Sequence, residues 1–201
     1  MIVNGLILAA GMSSRMGEFK PLLMINNKTM IEQSIDSMLA SGVKTITLVL
    51  GYQGEKIEQV IKHAGYENKQ IQVVYNRNYA STQMLDSVKI GVSNIEDCDA
   101  FYLLPGDMPA IHSDTFLKVR ETMECQKAKI VFPTMKGYRK HPPLISTYFI
   151  SDILNFESEG GLRELWKNFE SEITGVPVDD LGCTIDVDTK PQYQYVCQYM
   201  Y

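Results

Sequence analysis

Two cationic side chains, Arg15 and Lys20, lie in a loop of glycines and serines that follows a short apolar run, with the sequence GMSSRMGEFK over Gly11–Lys20. Glycine lets a backbone approach a ligand closely, and backbone N–H groups together with serine hydroxyls can surround phosphate oxygens. Arg15 could grip a phosphate through two parallel hydrogen bonds, while Lys20 would act as a mobile point charge. The alternative is a solvated surface loop, because glycines, serines and cations are all common on loops.

The spacing within this loop excludes two common phosphate-binding motifs. Gly17 follows Gly11 by six positions and precedes Glu18, so the loop does not match GxxxxGK[ST]. It does not match GxGxxG either, which removes the usual dinucleotide-binding interpretation. If the loop binds phosphate, it does so with a different architecture.

A carboxylate, Asp107, follows a second apolar run in the segment Leu103–Pro109, with the sequence LLPGDMP. Pro105 and Pro109 restrict the turn and Gly106 permits close backbone approach, so Asp107 would project from a rigid position. Mg²⁺ takes oxygen ligands, commonly one or two carboxylates together with phosphates and waters. The alternative role for Asp107 is to cap its own backbone within the turn.

Both loops follow apolar runs in a chain that alternates strand-like and helix-like segments. Runs that are apolar nearly throughout, such as Thr45–Gly51, predict a sheet covered on both faces, and the βαβα order predicts mostly parallel strands. Ligands bind such sheets beyond the carboxyl ends of the strands, which is where both loops lie. The predicted strands are Ile2–Ala10, Thr45–Gly51, Gln70–Asn76, Ala100–Leu104, Lys129–Thr134, Leu144–Ser146, Ile173–Pro177 and Cys183–Val187. The predicted helices are Met30–Ser41, Glu55–Ala64, Met84–Ser93, Ser113–Gln126, Phe149–Phe156, Gly161–Phe169 and a last helix from Pro191.

The composition predicts one globular domain over residues 1–201. Hydrophobic residues make up 45% of the chain and charged residues 21%, which is ordinary for a globular protein with a substantial core. A net charge of −5 argues against a nucleic-acid binder, which would carry a basic face. No run reaches the roughly 18 apolar residues of a membrane span. Four scattered cysteines without CxxC spacing predict reduced, mostly buried thiols in a cytoplasmic protein.

The first loop resembles a motif of GT-A-type nucleotidyltransferases, LAAGxSxRxGxxKxL, which the chain matches from Leu8 to Leu22. The resemblance implies a single-domain, Rossmann-like α/β fold of the GT-A type, with a mostly parallel central sheet and helices on both faces. It also implies that the loop wraps a nucleoside triphosphate. Arg15 and Lys20 would be the catalytic residues, holding the outer phosphates and stabilising charge at the α-phosphate. The nucleotide-binding residues implied are Leu8, Ala9, Ala10, Gly11, Ser13, Arg15, Lys20, Ser81, Ser87 and Gly106.

Two carboxylate segments resemble the metal-binding elements of the same family. Gly106–Pro109 is similar to its GDMP element, and Asp186–Thr189 (DVDT) is similar to its DIDT element. The resemblance implies a Mg²⁺ site, with Mn²⁺ as a possible substitute, held by Asp107 and Asp188, with Asp186 as the alternative to Asp188. Extended residues two apart point to the same side, so Asp186 and Asp188 could both face the pocket. Asp188 or Thr189 could also cap a helix that begins near Pro191, and the two roles are compatible.

Later segments resemble molybdenum cofactor cytidylyltransferases in particular. Gly137–Leu144 is similar to their GxRGHP element, and Glu159–Leu165 is similar to their GDxGARxLL stretch. The resemblance implies transfer of CMP from CTP to the phosphate of a molybdopterin-type cofactor, with release of pyrophosphate. Lys140 and His141 would then lie near the acceptor. A downstream molybdoenzyme or chaperone is a possible partner, whereas nucleic acid and membrane are not expected partners.

Departures from that group leave the base and the acceptor open. Lys140 replaces the glycine of the GxRGHP element, Gln83 stands where the group has glycine, and Gln192 stands where it often has aspartate. The segment Asp86–Gly91 instead resembles the DSVxxG pattern of methylerythritol-phosphate cytidylyltransferases. The alternatives are a nucleotidyltransferase for a sugar, alditol or methylerythritol phosphate, a GTP-using molybdenum cofactor guanylyltransferase, and a nucleotide-binding protein without turnover.

Overall fold

The fold is taken from a computed structural model of the protein, in which residues 1–12, 16–66 and 70–200 are described. The strands are β1 (Val3–Ala9), β2 (Met24–Ile25), β3 (Lys28–Thr29), β4 (Ile46–Leu50), β5 (Ile71–Tyr75), β6 (Ala100–Pro105), β7 (Ile130–Met135), β8 (Tyr138–Arg139), β9 (Leu144–Ser146) and β10 (Ile173–Pro177). The helices are α1 (Met30–Ala40), α2 (Gly54–His63), α3 (Met84–Ser93), α4 (Ser113–Gln126), α5 (Ile150–Asn155), α6 (Gly161–Asn168) and α7 (Lys190–Tyr199).

An eight-stranded sheet forms the centre of the molecule. Its order is β10-β7-β9-β6-β1-β4-β5, and β8 pairs with β7. The strand β1 is parallel to both β4 and β6, and the pairs β4–β5 and β7–β10 are also parallel. The strand β9 is antiparallel to its two neighbours, β6 and β7. The predicted mostly parallel sheet is confirmed, with β9 inserted between its two parallel groups.

Apolar side chains cover both faces of this sheet. On one face, Ile7 of β1 lies in a core built with α1, α2 and α4. On the other face, Leu6 lies in a second core built with α3, α5 and α6. The alternation follows from the period of two in a strand, and coverage on both sides leaves every residue of β1 buried. The predicted α/β fold with helices on both faces is confirmed.

The strand predicted over Cys183–Val187 is wrong, because a 3₁₀ turn occupies Leu181–Thr184. The side chain of Asp180 accepts a hydrogen bond from the backbone N–H of Gly182 at 2.9 Å. Such local side-chain bonds compete with a strand ladder. A Cβ on Gly182 would also lie 2.0 Å from the carbonyl oxygen of Ala110, so only glycine fits where the turn packs against the β6–α4 connection.

The cysteines differ from expectation in their burial. All four are free thiols, but only Cys183 is buried, while Cys98 and Cys197 are partly buried and Cys125 is exposed. Cys125 lies outside the face of α4 that packs on the sheet, whose buried members include Phe116. Separately, no helix within the described residues is long and apolar enough to cross a membrane.

Gly91 marks a close approach of α3 to the sheet, since a Cβ there would lie 2.3 Å from Cδ1 of Leu6 and 3.1 Å from Cγ2 of Val49. We expect Gly91→Val to lower the free energy of unfolding by about 1–3 kcal/mol, because overpacking forces neighbours out of their preferred rotamers. Urea denaturation measures the loss. Ser93→Val, at an exposed position of the same helix, is the matched control and should cost much less. Equal losses in the two variants would contradict overpacking as the cause.

Candidate active site

A cavity of about 240 Å³ opens at the carboxyl ends of β1 and β6. Its walls come from the end of β1 and the loop that follows, from the segment between β5 and α3, and from the start of the β6–α4 connection. The lining residues are Leu8, Ala9, Ala10, Gly11, Lys20, Pro21, Asn76, Tyr79, Thr82, Gln83, Met84, Ser87, Pro105, Gly106 and Asp107. The cavity therefore lies at the sheet edge where ligands of parallel sheets bind.

The ends of β1 and β6 are joined by backbone contacts that place Asp107 in the cavity wall. Leu8 is the register partner of Pro105, and the N–H of Gly106 donates to the carbonyl oxygen of Leu8 at 2.8 Å. A Cβ on Gly106 would come within 3.0 Å of the same oxygen, so a larger residue would push the two ends apart. Glycine here keeps Asp107 beside the loop that carries Lys20.

Lys20 and two carboxylates form an ion cluster at one side of the cavity. The Lys20 Nζ donates to Oδ2 of Asp107 at 2.9 Å and to Oδ1 of Asp188 at 2.8 Å. The Lys20 side chain is 13% exposed, against 29% for Asp107 and 32% for Asp188. Burial alone would lower the pKa of Lys20, but the two carboxylates outweigh it and raise that pKa above its ordinary value. Lys20 is therefore an ammonium ion at neutral pH.

The segment that carries Asp188 is fixed against Asp107 by its neighbour. The N–H of Val187 donates to the backbone oxygen of Asp107 at 3.0 Å, and the Val187 side chain is fully buried in an apolar cluster with Ile25 and Met30. Asp186 is exposed, whereas Asp188 reaches Lys20. Asp188 is the one of the two carboxylates that bonds Lys20, and which of them binds metal stays a prediction.

A reciprocal cap at the start of α7 holds the backbone of Asp188. The Thr189 hydroxyl accepts from the N–H of Gln192 at 3.4 Å, while Gln192 Oε1 accepts from the N–H of Asp188 at 3.0 Å and from the Thr189 hydroxyl at 2.8 Å. The helix cap and the carboxylate contact, which the sequence left as compatible roles, are thus divided between adjacent residues. Gln192 supplies an acceptor for the N–H of the residue that pairs with Lys20.

Buried Asn76 organises the wall of the cavity formed between β5 and α3. Its amide Nδ2 donates to Oγ1 of Thr82 at 2.9 Å and to Oγ of Ser87 at 3.0 Å. Its Oδ1 accepts from the N–H of Asn78 at 3.0 Å. One side chain therefore fixes two hydroxyls that line the cavity and the turn that leads to them.

Lys140 and His141 are not among the residues that line the cavity. His141 Nδ1 is 3.4 Å from the carbonyl oxygen of Leu103. Burial lowers the pKa of His141, partly opposed by that carbonyl and by the charge of Asp107. The N–H of Lys140 donates to the backbone oxygen of Pro133 at 2.8 Å, which ties the segment to β7.

The structure brings together most of the predicted nucleotide-binding residues. Those that line the cavity are Leu8, Ala9, Ala10, Gly11, Lys20, Ser87 and Gly106. Ser81 is exposed and does not line it; its hydroxyl donates to the carbonyl oxygen of Asn78 at 3.2 Å. Ser13 and Arg15 lie outside the described residues. Tyr79, Thr82, Gln83 and Met84 also line the cavity, within the segment 78–88 that the resemblance implied should reach the base. Sequence reasoning did not name Asn76, although its position after a strand of the parallel sheet is the signal that could have found it.

Asp107 and Asp188 have the chemistry of a magnesium site. They present carboxylate oxygens from distant segments to one shared cation, the Lys20 ammonium. Among the residues that the structure describes, no group of three or more His, Cys, Asp or Glu side chains could hold a metal. Mg²⁺ commonly uses only one or two protein carboxylates and takes its remaining ligands from phosphates and waters. The donor set therefore fits a metal that arrives with a phosphate ligand.

Comparison with known proteins finds similar sequences and similar folds among nucleotidyltransferases. The sequence model of the MobA-like NTP transferase domain matches residues 5–173. The molybdenum cofactor cytidylyltransferase of Escherichia coli K12 is 28% identical over 191 residues, which cover 95% of this chain and 93% of that protein. A nucleotidyl transferase structure from Methanothermobacter aligns with a TM-score of 0.82 at 20% identity, covering 98% of this chain and 97% of that one. Rv0371C of Mycobacterium tuberculosis H37Rv, in complex with manganese, aligns with a TM-score of 0.77 at 18% identity over 98% and 99% of the two chains.

The hydrogen bonds of the Asn76 side chain predict that removing its amide destabilises the folded protein. We expect Asn76→Ala to lower the free energy of unfolding by about 1–3 kcal/mol, because buried hydrogen-bonding groups of its neighbours lose their partner. Chemical denaturation measures the effect. Asn78→Ala is the matched control, since Asn78 is exposed and contributes backbone groups to this turn. An Asn76→Ala protein as stable as the control would show that the network is not stabilising.

The lowered pKa of His141 predicts a pH dependence of stability. Because the folded pKa lies below the ordinary value of 6.5, the unfolded chain binds the proton more readily. The stability that neutral His141 contributes is therefore present above that value and is lost as the pH falls through the folded pKa. We expect His141→Asn to flatten the decline in unfolding free energy between about pH 7 and about pH 5. Parallel pH profiles for the two proteins would contradict this assignment.

Proposed function

The chain belongs to the MobA-like NTP transferase domain family, and from that membership we propose that it is a nucleotidyltransferase that moves CMP from CTP to the phosphate of a molybdopterin-type cofactor. The observation that carries the proposal is the Lys20 ammonium, bonded to Asp107 and Asp188 beside a cavity at the ends of β1 and β6. The choice of CTP and of the acceptor is supported by the name of the Escherichia coli relative.

The proposed reaction is an in-line displacement at phosphorus. An oxygen of the acceptor phosphate forms a bond to the α-phosphorus, and the bond from that phosphorus to the oxygen bridging the α- and β-phosphates breaks. Pyrophosphate leaves with the electron pair of the broken bond. The acceptor phosphate is already ionised at neutral pH, so the attack requires no general base. Catalysis then depends on positioning and on stabilisation of charge.

Lys20 is the proposed catalytic cation. It lines the cavity, and its ammonium can move from the carboxylates towards phosphate oxygens by rotation of its own side chain. There it would stabilise negative charge that develops around the α-phosphate in the transition state. Arg15, in the same loop, is the proposed ligand of the outer phosphates, and Ser13 and the backbone of Gly11 are proposed as further phosphate ligands.

Asp107 and Asp188 are the proposed ligands of Mg²⁺. A bound Mg²⁺ would neutralise phosphate charge and polarise the phosphorus that is attacked. Mn²⁺ is the proposed substitute, supported by the manganese complex of a protein with the same fold. The buried Val187 and the cap from Gln192 act as positioning groups, because they fix the backbone on both sides of the Asp188 carboxylate.

The base and ribose are proposed to occupy the part of the cavity next to α3. Leu8, Ala9 and Ala10 form one side, and the hydroxyls of Thr82 and Ser87, held by Asn76, form the other. Hydroxyls and backbone groups of fixed orientation suit the hydrogen-bonding edge of a pyrimidine. Gln83 and Met84 border the same space, so they are candidates for selecting between bases.

The acceptor is proposed to approach from the side of Lys140 and His141. The Lys140 ammonium would favour an anionic acceptor, while His141, hydrogen-bonded to Leu103, would act as a neutral wall. We propose that residues 1–201 work as one catalytic domain in the cytoplasm, the compartment in which four unpaired thiols stay reduced. A downstream molybdoenzyme or chaperone would take the product.

The catalytic role of Lys20 predicts a large and specific loss. We expect Lys20→Ala to reduce pyrophosphate release from CTP and Mg²⁺, in the presence of a molybdopterin acceptor, by about 100–1,000-fold. Lys190→Ala is the matched control, because Lys190 is an exposed lysine whose ammonium lies 3.8 Å from Glu18. The control should keep wild-type turnover, and normal turnover in Lys20→Ala would contradict the proposed role.

The same assay, run with all four nucleoside triphosphates, tests the choice of substrate. We expect CTP to give the highest kcat/KM. A preference for GTP, or release only with a sugar, alditol or methylerythritol phosphate, would retain nucleotidyl transfer and replace the proposed base or acceptor. Thermal stabilisation by nucleotide without pyrophosphate release from any combination would identify a binding protein without turnover.

A further inference from the structure

We propose that Lys20 also competes with the divalent cation for Asp107 and Asp188, so that the metal binds tightly only together with a triphosphate that draws Lys20 away. The inference rests on the proposed function, because it takes these two carboxylates as the metal ligands. It adds an order to the binding events, in which nucleotide and metal enter together and metal alone is held weakly.

The first argument is the geometry of the ion cluster. The Lys20 ammonium bonds one oxygen of each carboxylate at 2.9 Å and 2.8 Å. Mg²⁺ binds carboxylate oxygens at about 2.0–2.1 Å and needs the same donors. A dication on the remaining oxygens of Asp107 and Asp188 would lie close to the ammonium in a partly shielded site, where like charges repel strongly. In either arrangement Lys20 weakens the binding of the metal to the two carboxylates.

The second argument is the charge of the cluster. The Lys20 ammonium offsets part of the negative charge that Asp107 and Asp188 present to a dication. A metal added alone would bring two further positive charges next to the ammonium while Lys20 stays in place. A triphosphate brings both negative charge and oxygen acceptors for the ammonium, so its arrival removes the competitor and supplies the metal with further ligands.

The third argument is that Lys20 can move without unfolding its surroundings. The carbonyl oxygen of Lys20 accepts from the N–H of Leu23 at 3.0 Å, and the following residue, Pro21, is buried. The backbone is therefore anchored, while the ammonium sits on a flexible four-carbon stem. Lys20 lines the cavity, so a rotamer change carries the ammonium from the carboxylates towards bound phosphates.

The test is a titration of the folded protein with Mn²⁺ alone, followed by electron paramagnetic resonance of the free ion. We expect Lys20→Met to bind Mn²⁺ at least about tenfold more tightly than the wild type, because a charge-assisted competitor has been removed. Lys20→Arg keeps the cation and should bind as weakly as the wild type. Lys190→Met removes a nearby exposed lysine and should leave the affinity within about twofold.

Unchanged, weaker or undetectable Mn²⁺ binding in Lys20→Met would overturn the proposed competition. If Lys190→Met raised the Mn²⁺ affinity as much as Lys20→Met does, the effect would be one of net charge alone, and the competition would again be overturned. Thermal unfolding checks that each variant is folded, and Lys20→Gln replaces Lys20→Met if the latter aggregates. The result is separable from the proposed function. A wild type that releases no pyrophosphate from any nucleotide contradicts that function, while the Mn²⁺ affinities still decide the competition.

Discussion

Two carboxylates that lie close together in a partly buried site need a cation between them, because their mutual repulsion would otherwise protonate one or separate both. Lys20 supplies that cation for Asp107 and Asp188, which lie 87 and 168 positions further along the chain. No local interaction can bring such distant groups within hydrogen-bonding range. The surrounding fold is best understood as the set of constraints that makes this one contact possible.

Each constraint is a short-range backbone contact at the carboxyl edge of the sheet. Parallel pairing of β1 with β6 sets their ends side by side. The N–H of Gly106, just after β6, then donates a hydrogen bond to the carbonyl oxygen of Leu8. The bond from Val187 to the backbone of Asp107 brings the C-terminal segment to the same point. The buried Val187 lies between an exposed Asp186 and the Asp188 carboxylate that bonds Lys20.

Periodicity and motif spacing predict those parts of the molecule that depend on local sequence. The apolar runs of β1 and β6, and the helical faces of α3 and α4, are visible in single segments, and the loops after the strands indicate the edge where ligands bind. The strand predicted over Cys183–Val187 fails because the Asp180 side chain and the close approach to Ala110 decide the backbone there. The first is a local side-chain bond just before the predicted strand, and the second is a tertiary contact that no pattern within the segment encodes.

Individual site residues likewise differ in whether local sequence or tertiary contacts identify them. Ser81 and Ser87 look alike in sequence, yet only Ser87 meets the amide of Asn76 and lines the cavity, because it lies on the inner face of α3. Asn76 carries no motif, and its position at a strand end indicates the ligand edge but not its bonds to Thr82, Ser87 and Asn78. The overall charge of −5 is similarly uninformative about the site, where Lys20 lies between the carboxylates of Asp107 and Asp188 and local charges determine the field.

The central claim is that Lys20, Asp107 and Asp188 form the catalytic centre of a nucleotidyltransferase. A crystal structure with a non-hydrolysable CTP analogue and Mn²⁺, located by its anomalous signal, tests this claim most directly. We expect Mn²⁺ on Asp107 and Asp188, the Lys20 ammonium on phosphate oxygens, and the base in the cavity beside Ser87. Mn²⁺ bound away from both carboxylates, or nucleotide bound outside this cavity, would contradict it.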